Sequence, residues 1–530
     1  MFAESVKVRR GVVAAPHRLA AEAGRDVIAD GGNALEAAVA AAAAIVVAYP
    51  HMNHMGGDGF WLVREPSGRT HYIEAAGYAG SLATRQRYRE LGYDKIPERG
   101  PHAALTVPGA VGGWMVALEI AKALGGRMPL ARLIEPAAKL ARAGSPVSRS
   151  YAWRFTTERG AKIDVPGFAE AFLVDGNPPK EGTTLSTGRL ADTFEQLARA
   201  KLVDFYRGDV GREIAADLES IGSPVTRVDL ERYRALVREP LSVPLKPGIA
   251  YNCPPPTPGI ASLIILGIYD RLGVRQAETF DQVHGIVEAT KRAFRIRDRV
   301  VTDFDRLTED PSDYLEPAAL DREAGAIDRK RAAPWPHPAG KGDTVWIGAA
   351  DASGLVVSYI QSLFHEFGSG CVLPRTGVLM QNRGSAFSLD AKARNALEPG
   401  RRPPHTLAPA LAVLKDGRVM GYGTMGGEGQ PQTLAALLTR HAYHGEGLFE
   451  AIDRPRWILG RTWGTNITNL RIESRFPASL FEELERAGHD VQVVEPYTEV
   501  MGHAGAVTFS PDGTLEGAHD PRGDGGAAGV

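Results

Sequence analysis

The chain reads as a mixed α/β (α+β) protein in which helices cover a pair of packed antiparallel sheets. Three observations predict this. Helical spacing dominates the first two-thirds of the sequence, β-branched runs joined by tight-turn signals dominate the last third, and neither kind of element can bury its apolar face alone. With 530 residues, 44% hydrophobic and 23% charged, the chain is large enough for a sizeable core and too apolar for extensive disorder.

The elements follow in order. "PHRLAAEAGRDVIADGG" has helical spacing and stops at Gly31-Gly32. Asn33 then caps the alanine-rich helix "ALEAAVAAAAAIVVAY", which is too short to span a bilayer and carries Glu36. After the turn "HMNHMGGDG", the run "FWLVREPSGRTHYIEAAG" predicts a hairpin with Ser-Gly at its tip. From about 105 to 240 helical patterns dominate, for example "MPLARLIEPAAKLARAG" and "LADTFEQLARAKL". The stop "YNCPPPTPGI" precedes the apolar helix "ASLIILGIYDRLG". Residues 329–343, "RKRAAPWPHPAGKGD", read as an exposed linker. "TVWIGAAD" and "LVVSYIQSLF" then form a hairpin that starts at Thr344. Further strands are expected in "GVLMQNRG", "APALAVLKDGRVMGYGTMGG" and "VTFSPDGTLEGAHD", with a helix in "PQTLAALLTRHAYHG".

Composition excludes several function classes. Lys+Arg is 61 against Asp+Glu 63, so no basic surface argues for nucleic acid or an anionic membrane as partner. Two cysteines, Cys253 and Cys371, rule out a disulfide framework and a clustered cysteine zinc site. The N-terminal stretch has no apolar core of a secretory signal. These features predict a reducing, cytoplasmic setting.

Four places carry candidate chemistry. Thr344 is either a β-branched residue suited to opening a strand or a nucleophile presented at a strand end. Its hydroxyl needs a base, and its own α-amino group serves once the chain is cut before it. The turn "GYGTMGGEGQPQ" either needs positive φ or offers backbone N–H groups as an oxyanion hole; it lacks the Lys-Ser/Thr ending of a phosphate loop. His51 and His54 have no acidic or histidine partner at ligand spacing, so no metal site is assigned. Arg383, and His405-Thr406 in "RRPPHTLAP", lie near strand ends. An arginine fork suits a substrate carboxylate, against a default of a surface ion pair.

Taken together, the ordered stretches "GGNALEAAVAAAAA", "YPHMNHMGGDGFWLV", "LTVPGAVGGW", "LIEPAAKLARAGSPVS", "DFYRGDVGREIAADL", "YNCPPPTPGI", "DTVWIGAADASG", "FGSG", "LMQNRGSAFS", "GTMGGEG" and "HDPRGDGGAAGV" resemble the γ-glutamyltranspeptidase family of N-terminal-nucleophile (Ntn) hydrolases. The resemblance implies a four-layer αββα sandwich of the Ntn-hydrolase type, made as a precursor that cuts itself between Asp343 and Thr344. Residues 1–343 and 344–530 would become the large and small subunits of one globular unit, an αβ heterodimer standing alone or as a dimer of heterodimers. Thr344 falls at the family's nucleophile, Ser362 at a supporting hydroxyl, and Gly426 and Gly427 at the oxyanion-hole pair. His405 and Thr406 fall where the family has a serine pair at the substrate carboxylate. No metal or organic cofactor is implied.

The departures from the family pattern bear on substrate. The arginine that grips a glutamyl α-carboxylate aligns near Ala76, the acid that holds its α-ammonium near Ala386, an amide position with Arg383 and an asparagine position with Phe364. Each lost charge-assisted contact costs roughly 1.5–3 kcal/mol, which argues against glutathione. The wording "YPHMNHMGGDGFWLVREP", "YIEAAGYAG" and "QNRGSAF" is most similar to the oxamate amidohydrolase branch. The expectation is hydrolysis of a small carboxylate-bearing amide, oxamate to oxalate and ammonia, with Arg383 and His405 or Thr406 on the carboxylate. The alternatives are a γ-glutamyl hydrolase or transpeptidase, a glutaryl- or cephalosporin-type acylase, and an uncut binding protein.

Overall fold

A computed structural model describes residues 4–156, 163–335, 343–460 and 467–530, and of Asp343 only the backbone. The cut-site calls on residues 336–342 and on the Asp343 side chain lie outside the described residues. Fourteen strands in two seven-stranded sheets form the centre. They are β1 (Val6–Val8), β2 (Gly11–Ala15), β3 (Asp58–Arg64), β4 (Thr70–Ala75), β5 (Leu236–Arg238), β6 (Leu241–Leu245) and β7 (Gly248–Asn252). The rest are β8 (Asp343–Asp351), β9 (Val356–Phe364), β10 (Ala410–Leu414), β11 (Val419–Thr424), β12 (Ala504–Phe509), β13 (Leu515–His519) and β14 (Gly526–Gly529). One sheet runs β1-β13-β12-β11-β10-β7-β6, the other β14-β2-β8-β9-β3-β4-β5, and every neighbouring pair is antiparallel.

The period-2 alternation along β8 assigns the layers. Val345, Ile347 and Ala349 face a helical core that holds α1 (Arg18–Ala29) and α2 (Ala34–Ala48). Trp346 and Ala350 face the opposite sheet, in a core shared with Val12, Ile360, Leu411 and Val507. Beyond that second sheet, α3 (Gly259–Leu272), α4 (Phe280–Val300) and α5 (Gln430–Leu438) close the fourth layer. The fold is therefore the αββα sandwich. Trp346 fills the space between the sheets because Gly423 and Gly505 leave it: a Cβ would stand 1.9 Å from its ring at Gly423.

α2 is buried along its whole length, which its small alanines permit. Its one acid, Glu36, is a cap: it accepts from the Asn33 N–H at 2.9 Å and the Met128 N–H at 2.8 Å, while Asn33 accepts from Glu36 N–H. Among the described residues no helix is long and apolar enough to cross a membrane.

The structure corrects the sequence reading in three places. The first 60 residues hold β1 and β2 as well as two helices, and a two-residue ladder pairing Ser145–Pro146 with Thr184–Leu185 interrupts the helical stretch, which ends in β5. "GVLMQNRG" forms no ladder strand: Leu379 and Met380 make single bridges to Val372 and Gly56 before a 3₁₀ turn at Arg383–Ala386. Gly56 is held so close that a Cβ there would lie 2.0 Å from the Leu379 carbonyl. The linker does not begin exposed at 329. Ala332 N–H donates to Ala487 O at 2.8 Å, and buried Lys291, paired with Glu288 at 2.6 Å, donates to Ala333 O at 2.6 Å, so this segment docks on α4.

Candidate active site

A cavity of about 620 Å³ lies where the end of β9, the Arg383–Ala386 turn, the segment before β10 and the turn entering α5 converge. Phe364, His365, Ala386, His405, Thr406 and Gly427 are on its wall. Four of the segments named from sequence are thus brought to one place. Ala76 is not among them: it is buried in the core between the sheets.

Thr344 is the second residue of β8 and is buried. The register shifts between the Asp343–Phe364 and Val345–Gln361 pairs, a bulge that sets Ser362 and Leu363 against Thr344 alone. The extra residue is on β9, so it is the Ser362-Leu363 side of the pair that the bulge bends. Gln430, at the start of α5, places its side-chain nitrogen 3.5 Å from Thr344 Oγ1. Its oxygen accepts from Ala408 N–H at 3.0 Å, which sets the amide with its NH₂ toward the threonine. Ser362 Oγ accepts from Phe364 N–H at 2.9 Å and lies 3.5 Å from the Arg383 guanidinium.

Arg383 is no surface ion pair; it is fully buried. Its guanidinium donates to Thr406 Oγ1 at 3.2 Å and lies 4.1 Å over the Phe364 ring. Phe364 holds φ at +83°, a strained value for a residue with a side chain. Burial lowers Arg383 to about 9, opposed by the charge of Asp58. Asp58, the first residue of β3, is pushed up to about 7 by burial, although Gly77 N–H at 2.8 Å and Gln381 at 3.0 Å donate to it. His405 Nε2 stands 3.6 Å from Asp58 Oδ2, and burial beside Arg383 keeps the ring neutral. Among the described residues Asp58 Oδ2, Arg383 Nε and both His405 nitrogens have no hydrogen-bond partner. Buried polar atoms are seldom left this way.

Gly426 and Gly427 adopt φ of +125° and +52°, conformations that favour glycine. They precede α5, where backbone amides and the helix dipole favour negative charge. The turn's need for positive φ and an oxyanion-binding use are compatible here. Across the cavity Arg297 and Glu428 pair at 3.3 Å.

His51 and His54 do not line the cavity. The His51 ring stacks on Tyr151 with centroids 5.1 Å apart, and His54 Nδ1 accepts from Leu379 N–H at 3.1 Å, bracing the turn. Among the described residues one other group gathers three metal-ligand side chains, His284, Glu288 and His489. Its atoms are already engaged: His284 and His489 bond each other at 2.8 Å, and Lys291 and Ala333 N–H occupy Glu288.

Sequence reasoning missed Asp58, Gln381 and Gln430. Asp58 lies inside "GGDGF", read only for its glycines and histidines; an acid at the head of an otherwise apolar strand was the available signal. Gln430 lies inside the quoted glycine-rich turn, but nothing local separates a helix-opening glutamine from one aimed at a distant threonine.

Comparison with known proteins adds to this geometry. A family model described as gamma-glutamyltranspeptidase matches residues 20–530. An oxamate amidohydrolase proenzyme of Klebsiella pneumoniae is 50% identical over 520 residues, 98% of each chain. A glutathione hydrolase-like proenzyme of Bacillus subtilis is 38% identical, over 99% of this chain and 100% of its own. The crystal structure of a cephalosporin acylase from Bacillus halodurans superposes with a TM-score of 0.90 at 32% identity, covering 99% of this chain and 97% of that one.

Proposed function

The chain belongs to the gamma-glutamyltranspeptidase family, and on that premise we propose that it is a self-cleaving Ntn amidohydrolase acting on a small amide that carries a carboxylate, with oxamate as the substrate. One observation carries the substrate class: Arg383, fully buried and with its Nε unpartnered among the described residues, donates to Thr406 and lies over Phe364, both of which are on the cavity wall.

Maturation and turnover use the same hydroxyl. In the intact chain the Thr344 nitrogen belongs to a peptide bond, so no amine exists to act as base. Thr344 Oγ attacks the Asp343 carbonyl carbon, the C–N bond breaks, and water hydrolyses the resulting ester. This leaves a carboxylate on residue 343 and a free amine on residue 344. In turnover that amine takes the Oγ proton as Oγ attacks the oxamate amide carbon. Gly426 and Gly427 N–H groups hold the oxyanion. Ammonia leaves with the proton, and water releases oxalate from the acyl-enzyme. Arg383 and Thr406 hold the substrate carboxylate, with His405 beside them; Gln430 and Ser362 orient the nucleophile.

Thr344→Ala tests both stages. Wild-type enzyme is expected as two fragments of roughly 37 and 20 kDa, the smaller opening with Thr344, from a 56.8 kDa precursor. The variant is expected as one uncut chain that releases no ammonia from oxamate. Full activity in the variant would end this reading.

The cavity volume supports a second reading, because about 620 Å³ suits a ligand far larger than oxamate. An acylase for longer side-chain amides fits that space. Glutaryl-p-nitroanilide hydrolysed faster than oxamate would favour it.

A further inference from the structure

We propose that Asp58 and His405 form one proton-holding unit behind the carboxylate subsite, carrying a single shared proton whenever an anionic substrate lies against Arg383. The inference rests on the reading of Arg383 as the partner of the substrate carboxylate.

The argument is one of charge in a closed space. Asp58 and Arg383 are both fully buried. With no substrate bound, an ionised Asp58 and the guanidinium cancel. A substrate carboxylate adds a second negative charge where solvent cannot screen it, which a buried site resists unless a proton enters with it. The surrounding groups do not supply one. Arg297 and Glu428 form a separate pair at 3.3 Å, and Lys95 and Glu98 stand on the cavity wall. The Tyr206, Tyr233 and Tyr359 phenols that face Asp58 are held protonated by burial.

The geometry offers two seats for that proton. Asp58 Oδ2 and His405 Nε2 are 3.6 Å apart, and among the described residues neither has a hydrogen-bond partner. A neutral imidazole carries one N–H, so with the His405 proton on Nδ1 the facing Oδ2 and Nε2 are both acceptors, and an added hydrogen shared between them would close the gap. The two groups then titrate as a unit, so the charge-neutral bound state is the same whether oxygen or nitrogen holds the proton. The proton comes from solvent with the anion and leaves with it; no other bond changes. Burial pushes Asp58 up to about 7, which puts the titration of the free pair in the working range.

This device selects by charge. A plain carboxylate gains the added proton, whereas a glutamyl head group brings its own ammonium and needs none. The pair thus supplies a reason for the absence of an acid at Ala386, where a glutamyl enzyme would hold that ammonium. The sign of the pH dependence follows. The bound state holds the proton more tightly than the free state, so affinity is level below the pair's free titration. It falls about tenfold per pH unit above it.

Calorimetric titration of the processed wild-type enzyme tests this with pyruvate, which has oxamate's shape and no amide to cleave. Titration at pH 8 in HEPES and in Tris should show about one proton taken up per site, with affinity falling about tenfold from pH 7.5 to 8.5. Asp58→Asn should take up none and bind with a flat pH profile, whereas a merely structural role for Asp58 would weaken binding equally at every pH. Pyruvate bound by the wild type without proton uptake overturns the proposal and leaves the oxamate reading standing. Pyruvate that fails to bind, with valerate binding and drawing in a proton, overturns the oxamate reading and leaves the pair standing. If neither acid binds, both fall.

Discussion

Two groups of buried charge in this molecule differ in how well they are satisfied. In the first, Arg522 donates to Glu473 at 2.7 and 2.6 Å and to Asp520 at 3.1 Å, with further bonds to the carbonyls of Asp453 and Arg454. Arg456 completes it by pairing with Asp520 and donating to Gly502 O at 3.0 Å. Two cations meet two anions, and Asp520 is held well below the usual carboxylate range by Arg456 and Arg522 against the cost of burial. In the second, among the described residues Arg383 donates only to hydroxyls, and Asp58 is driven up to about 7. Burial is equal in the two places, whereas hydrogen bonding is not. A closed network holds chain segments together; an open one leaves free energy for a ligand to recover.

Breaking each arginine should separate these roles. Arg522→Met takes both guanidinium bonds from Glu473 and leaves Asp520 to Arg456 alone, and is expected to lower stability by about 3–5 kcal/mol, read from denaturant unfolding. The activity of the molecules that remain folded should be unchanged. Arg383→Met should reverse the pattern. Stability is expected to stay within about 1 kcal/mol, because few bonds are lost, while kcat/KM for oxamate falls by about 2–3 kcal/mol, roughly 30- to 150-fold. A variant of Arg383 that unfolds while its activity per folded molecule persists would erase the contrast.

The smallest effect is acid sensitivity around the closed group. His503 and His519 are buried and held neutral, with pKa values lowered to about 3 and about 4 chiefly by burial. The unfolded chain takes up protons near pH 6.5 and the folded chain does not. Their contribution is therefore full above that pH and is lost as pH falls toward the folded values. His519→Gln should flatten the fall in unfolding free energy by about 1.4 kcal/mol per pH unit between pH 6 and 4. An unchanged slope would mean that His519 already carries a proton in the folded protein.

Much of the candidate site could be read from the sequence because its parts are local signals. Gly426-Gly427 mark a positive-φ turn wherever it lies in space, and Thr344 follows a proline-rich run at the head of a hairpin. Resemblance to a known family then gave those signals roles. Asp58 was legible only as an acid in an apolar strand, since its meaning depends on His405, almost 350 positions away in the chain.

What the sequence determined by itself is therefore the set of elements with strong short-range physics: the α1 stop at Gly31, the Asn33 cap, the hairpins β3-β4 and β8-β9, and the family to which their order belongs. What the tertiary structure decided is which groups share a low-dielectric space. Neither the single-residue bulge that sets Ser362 against Thr344 nor the burial that strips Arg383 and Asp58 of water has a local signature. The bulge arises from the register of β8 on β9 and the burial from packing between segments hundreds of residues apart, and the energy of a charge depends on everything around it rather than on its neighbours in sequence.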